Sequence, residues 1–276
     1  MKQLLFLLSI CYLASSHAQQ SGELLYEAGK FSEAASAFKE ALKNQPNDYK
    51  LRFGLANSLH KQEEYKKAIE QYTLAEKLNY KDAELFFNRG AAFVFIEYYR
   101  KAIKDLDKSI ELNPNKAEVF YFKGFCKYEL SRYKSAVEAY TKAIDLKPGY
   151  AAAIYNRGAA KAELKDFEEG AKDFELALEK DPKLENGLIN IALSKLAQEM
   201  FEAAIKDFDS IIENRSKNLA KAYFYRGEAY YELKNKEKAC DDWLKASNLG
   251  NDKGSSNIED FCGSEIKSRK EIDIVF

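Results

Sequence analysis

The sequence predicts an all-α fold, a solenoid of antiparallel helix hairpins, on three observations. A small residue recurs with a 34-residue period through most of the 276-residue chain. A second small residue stands twelve positions before each member of that series, and all four prolines fall in one register of the same period. A fixed period of this size marks repeat architectures, in which each unit is one supersecondary element that cannot bury its apolar face alone.

The first series runs Ala34, Ala68, Ala102, Ala136, Gly170 and Ala204, with Ala239 following after 35 residues. Three positions before most of these stands an aromatic residue (Phe31, Tyr65, Tyr99, Tyr133, Phe167 and Phe201), and Lys236 breaks that row. Four positions after them come Phe38, Tyr72, Leu106, Tyr140, Phe174, Phe208 and Trp243. The second series is Gly22, Ala56, Gly90, Gly124, Gly158, Ala192 and Gly227. Small side chains at both places let two helices cross closely. Pro46, Pro114, Pro148 and Pro182, lacking a backbone donor, end the second helix of their units. Between these marks, apolar residues at helical spacing describe two amphipathic helices per unit, for example Phe120 to Leu130 and Tyr133 to Leu146.

Small residues near positions 8 and 20, aromatics near 17 and 24 and proline near 32 of a 34-residue unit resemble the tetratricopeptide repeat. The resemblance covers residues 19–253 as seven repeats: 19–48, 49–82, 83–116, 117–150, 151–184, 185–219 and 220–253. It implies a right-handed superhelix with the first helix of each hairpin on the concave face. Tyr80, Ser216 and Asn251 stand in place of proline, Gly170 replaces alanine, and one residue is added near Leu219.

Before the repeats, Met1, Lys2 and Gln3 precede an apolar run from Leu4 to Ala14, and Ser16-His17-Ala18 places small residues where a signal peptidase reads. The pattern predicts a signal peptide over 1–18, cleaved after Ala18, and an exported protein, periplasmic or secreted. The run is shorter than the roughly 20 residues that span a bilayer, so no integral membrane segment is expected in the mature chain. A lipoprotein reading would need Cys11, but bulky Ile10 precedes it.

After the repeats, residues 254–276 read as a capping helix and tail. Ile258, Phe261, Cys262 and Ile266 form one apolar helical face suited to covering the last repeat. Cys240 and Cys262 are a possible disulfide across that junction; two buried free thiols are the simpler alternative, and spacing alone does not place two sulfurs. The tail Glu271-Ile272-Asp273-Ile274-Val275-Phe276 carries more apolar side chains than an idle solvated end needs.

The groove implied by the resemblance is lined from positions 5, 6, 9 and 12 of the first helices. Position 5 carries an aromatic row of Phe53, Phe87, Tyr121, Tyr155 and Phe224, with Ile189 between. Position 6 carries Asn88, Phe122, Asn156, Asn190 and Tyr225. Asn57, Phe125 and Tyr128 extend the surface, beside His60, which reads as a solvated residue near a helix end. Aromatic rings offer stiff apolar area, and asparagine amides both donate and accept, so the set suits a peptide. Repeated asparagines at position 6 resemble those of peptide-binding family members, although Phe122 interrupts the ladder. The family's clamp for a C-terminal carboxylate is missing, since aromatics occupy position 5 where it would place lysine. Arg89, Arg157 and Arg226, one residue later, are expected to lie over the hairpin seam with their heads in water.

Lys and Arg number 43 against 44 Asp and Glu, so no net field recruits nucleic acid. The predicted mature chain keeps one histidine, has no closely spaced cysteine pair and lacks a glycine-rich phosphate loop. Paired acids such as Glu168-Glu169 and Asp241-Asp242 read as solvated faces of second helices. These features point away from an enzyme, a metal site or a cofactor. They point to an adaptor that binds a protein or peptide partner, with a self-associating homo-oligomer built on the tail as the alternative.

Overall fold

The computed structural model describes residues 20–78, 81–214 and 217–263. The predicted signal peptide and the apolar tail from Ile272 to Phe276 lie outside the described residues.

Among the described residues the chain is a succession of helices with no strand. It divides into two compact units, Met1–Arg132 and Tyr133–Phe276. The first holds α1 (20–27), α2 (Phe31–Asn44), α3 (Tyr49–Lys61), α4 (Tyr65–Lys77), α5 (Ala83–Phe95), α6 (Tyr99–Leu112) and α7 (Ala117–Glu129). The second holds α8 (Tyr133–Leu146), α9 (Ala151–Glu163), α10 (Phe167–Lys180), α11 (Glu185–Ala197), α12 (Phe201–Glu213), α13 (Leu219–Glu232), α14 (Lys236–Asn248) and α15 (Asp252–Asn257).

Local chemistry sets where these helices start and stop. Asp48 accepts from the backbone of Lys50 and Leu51 at the head of α3, and Asp82 accepts from Glu84 at the head of α5. Each first helix ends in the same way. Glu63, Glu97, Ser131, Lys165, Glu199 and Lys234 adopt φ between 56° and 65°, and Gly29 takes the equivalent place at 74°. Around each, an N–H reaches back to the carbonyl five residues earlier, as from Glu64 to Leu59 and from Tyr98 to Phe93. This left-handed stop satisfies the last carbonyls and reverses the chain into the second helix.

The two series of small residues meet where the helices of a hairpin cross. A Cβ on Gly158 would stand 2.9 Å from the Gly170 carbonyl oxygen, and one on Gly170 would stand 3.0 Å from that of Gly158. The glycine that replaces alanine at 170 therefore accompanies a backbone-to-backbone approach of α9 and α10. The bulky series fills the space around the crossings: Phe38, Tyr72, Leu106, Tyr140, Phe174, Phe208 and Trp243 are all buried. Each such side chain removed from water contributes about 1.5–3 kcal/mol.

The end of the second unit is covered by α15 and a π-helical turn, Ile258–Cys262. Asn251 caps α15 through the Gly254 amide, and the absence of a side chain at Gly254 lets α15 come within contact of the Trp243 carbonyl. Ile258 is buried and Cys262 is joined to Cys240 by a disulfide. Phe261 remains 40% exposed while touching the rings of Tyr231 and Trp243 at 5.2 and 6.0 Å. The single regular face expected from Ile258 onward is thus replaced by a wider turn that rotates Phe261 to the rim. Ile266 lies outside the described residues.

Candidate functional site

First helices of successive hairpins touch one another, α3 with α5 and α5 with α7 in the first unit, and α11 with α13 in the second. Their shared side carries the residues expected to line a groove, and it differs in the two units.

In the first unit two recesses open along this side. One of about 300 Å³ is lined by Glu23, Tyr26, Glu27, Phe38, Lys50 and Phe53, and ends at Gly54 and Asn57. The other, of about 180 Å³, begins at Tyr26 and Asn57 and is walled by His60, Tyr72, Phe87, Asn88, Phe95 and Phe122. Asn57 sits between them. Its Oδ1 accepts from the Tyr72 hydroxyl at 2.7 Å and from the Asn88 amide at 3.0 Å, bracing α3 against α5. Phe87 and Phe122 meet edge to face at 5.7 Å, and the Lys116 ammonium lies 4.0 Å from the centre of the Phe87 ring. Phe53 is half-buried against Tyr72. Tyr121 supports Phe122 by an edge contact, and Phe125 packs against Tyr99. Tyr121, Phe125 and the half-buried Tyr128 are not among the walls of these two recesses.

In the second unit the same registers are more deeply engaged. Tyr155 leans on Phe174, and its hydroxyl accepts from the Asn190 amide at 2.8 Å. Tyr225 stacks on Phe208, and Asn156 is half-buried. Phe224 is a correction to the expected groove. At 6% exposure it is core, because its ring packs in the buried cluster that holds Trp243, Leu244 and Ile258 and meets Tyr225 edge to face at 5.0 Å.

Three other expectations change. His60 is half-buried rather than freely solvated: it stands edge-on to Tyr65 and Phe95, which stack on each other at 4.6 Å. Burial, and then the Lys61 charge, lower its pKa to about 4, against an opposing hydrogen bond with the Asn88 backbone. The folded imidazole therefore stays neutral down to about pH 4, whereas the unfolded one takes up its proton near pH 6.5. The stability it supports is complete above pH 6.5 and is lost as pH falls from there to about 4. Accordingly, His60→Phe should lose less stability than the native chain between pH 7 and pH 4.5 in urea titrations.

The arginine heads are not in water either. Arg89, 6% exposed, grips Asp105 with Nε and Nη2 at 2.6 and 2.9 Å and reaches Glu76 of the preceding hairpin at 2.7 Å. Arg157 repeats the fork on Asp173 and donates to Thr141. Arg226 forks onto Asp242 and also pairs with Asp209. Asp242, read as part of a solvated face, is 2% exposed for this reason. Each arginine ties its own second helix to the one before it, a planar fork suited to two acceptors at once.

Among the described residues no group of three or more His, Cys, Asp or Glu could hold a metal ion, and no helix is long and apolar enough to cross a membrane. Cys126 is buried, and burial pushes its thiol up to about 12. The arrangement offers a shaped aromatic and amide surface.

A search of curated protein sequences finds no match to the chain. Among solved structures, the C-terminal part of a TPR repeat-containing protein from Cytophaga hutchinsonii superposes with a TM-score of 0.72 at 17% identity, over 87% of this chain and 98% of that one. YrrB, a TPR protein with an unusual peptide-binding site, is 23% identical over 62% of this chain and 88% of its own, with a TM-score of 0.58. MamA is 29% identical over 62% of this chain and 93% of its own, also at 0.58. The family model described as tetratricopeptide repeat matches residues 20–83, 87–151, 127–185 and 189–252. With hairpins, crossings and turns repeating in the same register, the chain belongs to the tetratricopeptide-repeat family, whose members generally serve as protein-interaction modules rather than catalysts.

Proposed function

We propose that the protein is a non-catalytic adaptor that holds a peptide segment of a partner against its first helices. The observation that carries this reading is the pair of adjoining recesses in the first unit, apolar along Tyr26, Phe53, Phe87 and Phe122 and joined at Asn57. Such a surface accepts apolar side chains of an extended segment, with polar groups at hand to fix its backbone. The peptide-binding site named for YrrB supports the same use of this fold. Because the Asn88 and Asn190 amides already donate to Asn57 and Tyr155, aromatic contact supplies most of the holding.

Phe122→Ala tests it. The ring is half-buried on α7 and walls the smaller recess. Its removal should weaken capture of the partner segment at least tenfold in a pull-down, roughly the loss of one aromatic anchor, with unchanged helical circular dichroism. Undiminished capture would overturn the assignment of this recess.

The reading includes export to the periplasm or the outside. The leader pattern over residues 1–18 supports it, as does the Cys240–Cys262 bond, since disulfides persist in oxidising compartments. Intact-mass spectrometry of protein from the producing cell should give a chain starting at Gln19; a mass retaining residues 1–18 would contradict it.

A further inference from the structure

We propose that residues 264–276 of this chain occupy the first-helix face of the second unit, lying extended across α13, α11 and α9. The proposal rests on the reading of first helices as a peptide-holding surface and adds a means of regulating it: an outside segment binds there only by displacing the chain's own.

Three observations carry it. The first is the face itself, where Leu193 and Leu196 of α11 and Tyr225 of α13 pack on the core from one side and are only partly buried, beside the half-buried Tyr155 and Asn156 of α9. The second is the point where the chain leaves the described fold. The Asn257 amide donates to Glu228 at 2.6 Å, Phe261 rests on Tyr231, and the disulfide fastens Cys262. Glu228 and Tyr231 occupy positions 9 and 12 of α13, the registers that look onto this face. Gly263, at φ 75°, then turns the chain with no neighbour within 4 Å of a Cβ. The described chain thus ends, at Gly263, beside the registers of α13 that look onto this face.

The third is the composition of the segment beyond Gly263. Ser264 to Glu271 is mostly polar and charged, and these eight residues reach about 26 Å when extended. Packed helices lie about 8–10 Å apart, so that length passes α11 and arrives at α9. The next five residues, Ile272-Asp273-Ile274-Val275-Phe276, alternate so that Ile272, Ile274 and Phe276 share one side of an extended strand. That side matches the leucine and tyrosine surface. A tether this short holds its segment at an effective concentration in the millimolar range, so even a weak intrinsic affinity keeps the face filled.

The experiment uses the full chain in native form and with Ile272→Asp, Ile274→Asp and Phe276→Asp together. The probe is a fluorescein-labelled synthetic peptide of residues 264–276, followed by anisotropy. The substituted chain should bind the probe, and the native chain should bind it at least tenfold more weakly, because its own segment competes. Equal binding to both, or none to the substituted chain, would overturn the proposal. A photoreactive phenylalanine analogue at position 276 of the native chain supplies a readout that needs no altered face. Crosslinks within the same molecule to α9, α11 or α13 are expected, and crosslinks to a second copy or to other helices would overturn it. Partner capture at Phe122 in the first unit is scored separately. Failure here with capture intact removes this proposal alone, whereas loss of both removes the adaptor reading.

Discussion

Asp105→Ala is expected to lower the unfolding free energy by about 3 kcal/mol, from the cost of leaving a buried charge without its partner. The side chains of Arg89 and Asp105 are each 7% exposed and share two hydrogen bonds. Removing the carboxylate leaves the guanidinium in the seam between α4, α5 and α6, beside the Phe86 ring and facing Glu76 and Thr73. That remaining carboxylate keeps the loss at the lower end of the range for broken buried pairs. Replacing both members by apolar residues, Arg89→Met with Asp105→Leu, should recover most of the stability, since no charge is then stranded. Urea titrations followed by circular dichroism compare the three chains. A single substitution with no effect would mean that the pair is solvated in solution.

Trp243→Ala is expected to cost about 3–5 kcal/mol, the range for deleting a large buried aromatic side chain. The indole is 1% exposed, fills the space above Gly227 and supports Tyr231 and Phe261. In a stack of hairpins, stability is close to a sum of units and nearest-neighbour interfaces. The damage should therefore appear as early melting of α13, α14 and the cap rather than as a uniform shift. Hydrogen exchange should rise sharply in residues 219–262 while amides of α9 and α10 change little. Uniformly faster exchange through the second unit would show that its hairpins unfold together.

The repeat period encodes some interactions and not others, and that division set how much of the fold was legible in the sequence. The crossings at Gly158 and Gly170 and the buried ring series were readable because packing demands the same small or bulky residue in every repeat. The left-handed stop between helices was not. Six of its seven positions hold Glu, Ser or Lys rather than glycine, and the conformation is enforced by the carbonyl five residues back. The arginine pairs escaped for a different reason. Arg89 and Asp105 are sixteen residues apart on two helices, so each charge alone reads as a solvated face, and only the hairpin brings them together. The spacing of arginine and aspartate in three alternate repeats was the available signal. His60 likewise draws its burial from Phe95 in the next hairpin, a residue no helical period links to it.

The candidate groove was legible as a set of registers but not as depth. The period places Phe53, Phe87, Tyr155 and Phe224 in one row, yet side-chain packing leaves Phe87 lining a recess and sends Phe224 into the core. Pairing of Cys240 with Cys262 lay beyond spacing arguments too, because the π-helical turn that carries Cys262 to α14 departs from regular helix geometry.

The adaptor function requires that the first-helix side of the hairpins hold another polypeptide. Photoreactive phenylalanine placed at Phe122, inside the recess, and at Lys172, exposed on second helix α10, compares the two sides in the native setting. Crosslinking followed by mass spectrometry should recover a defined partner peptide from position 122 and none from position 172. A partner recovered from position 172 alone would contradict that requirement.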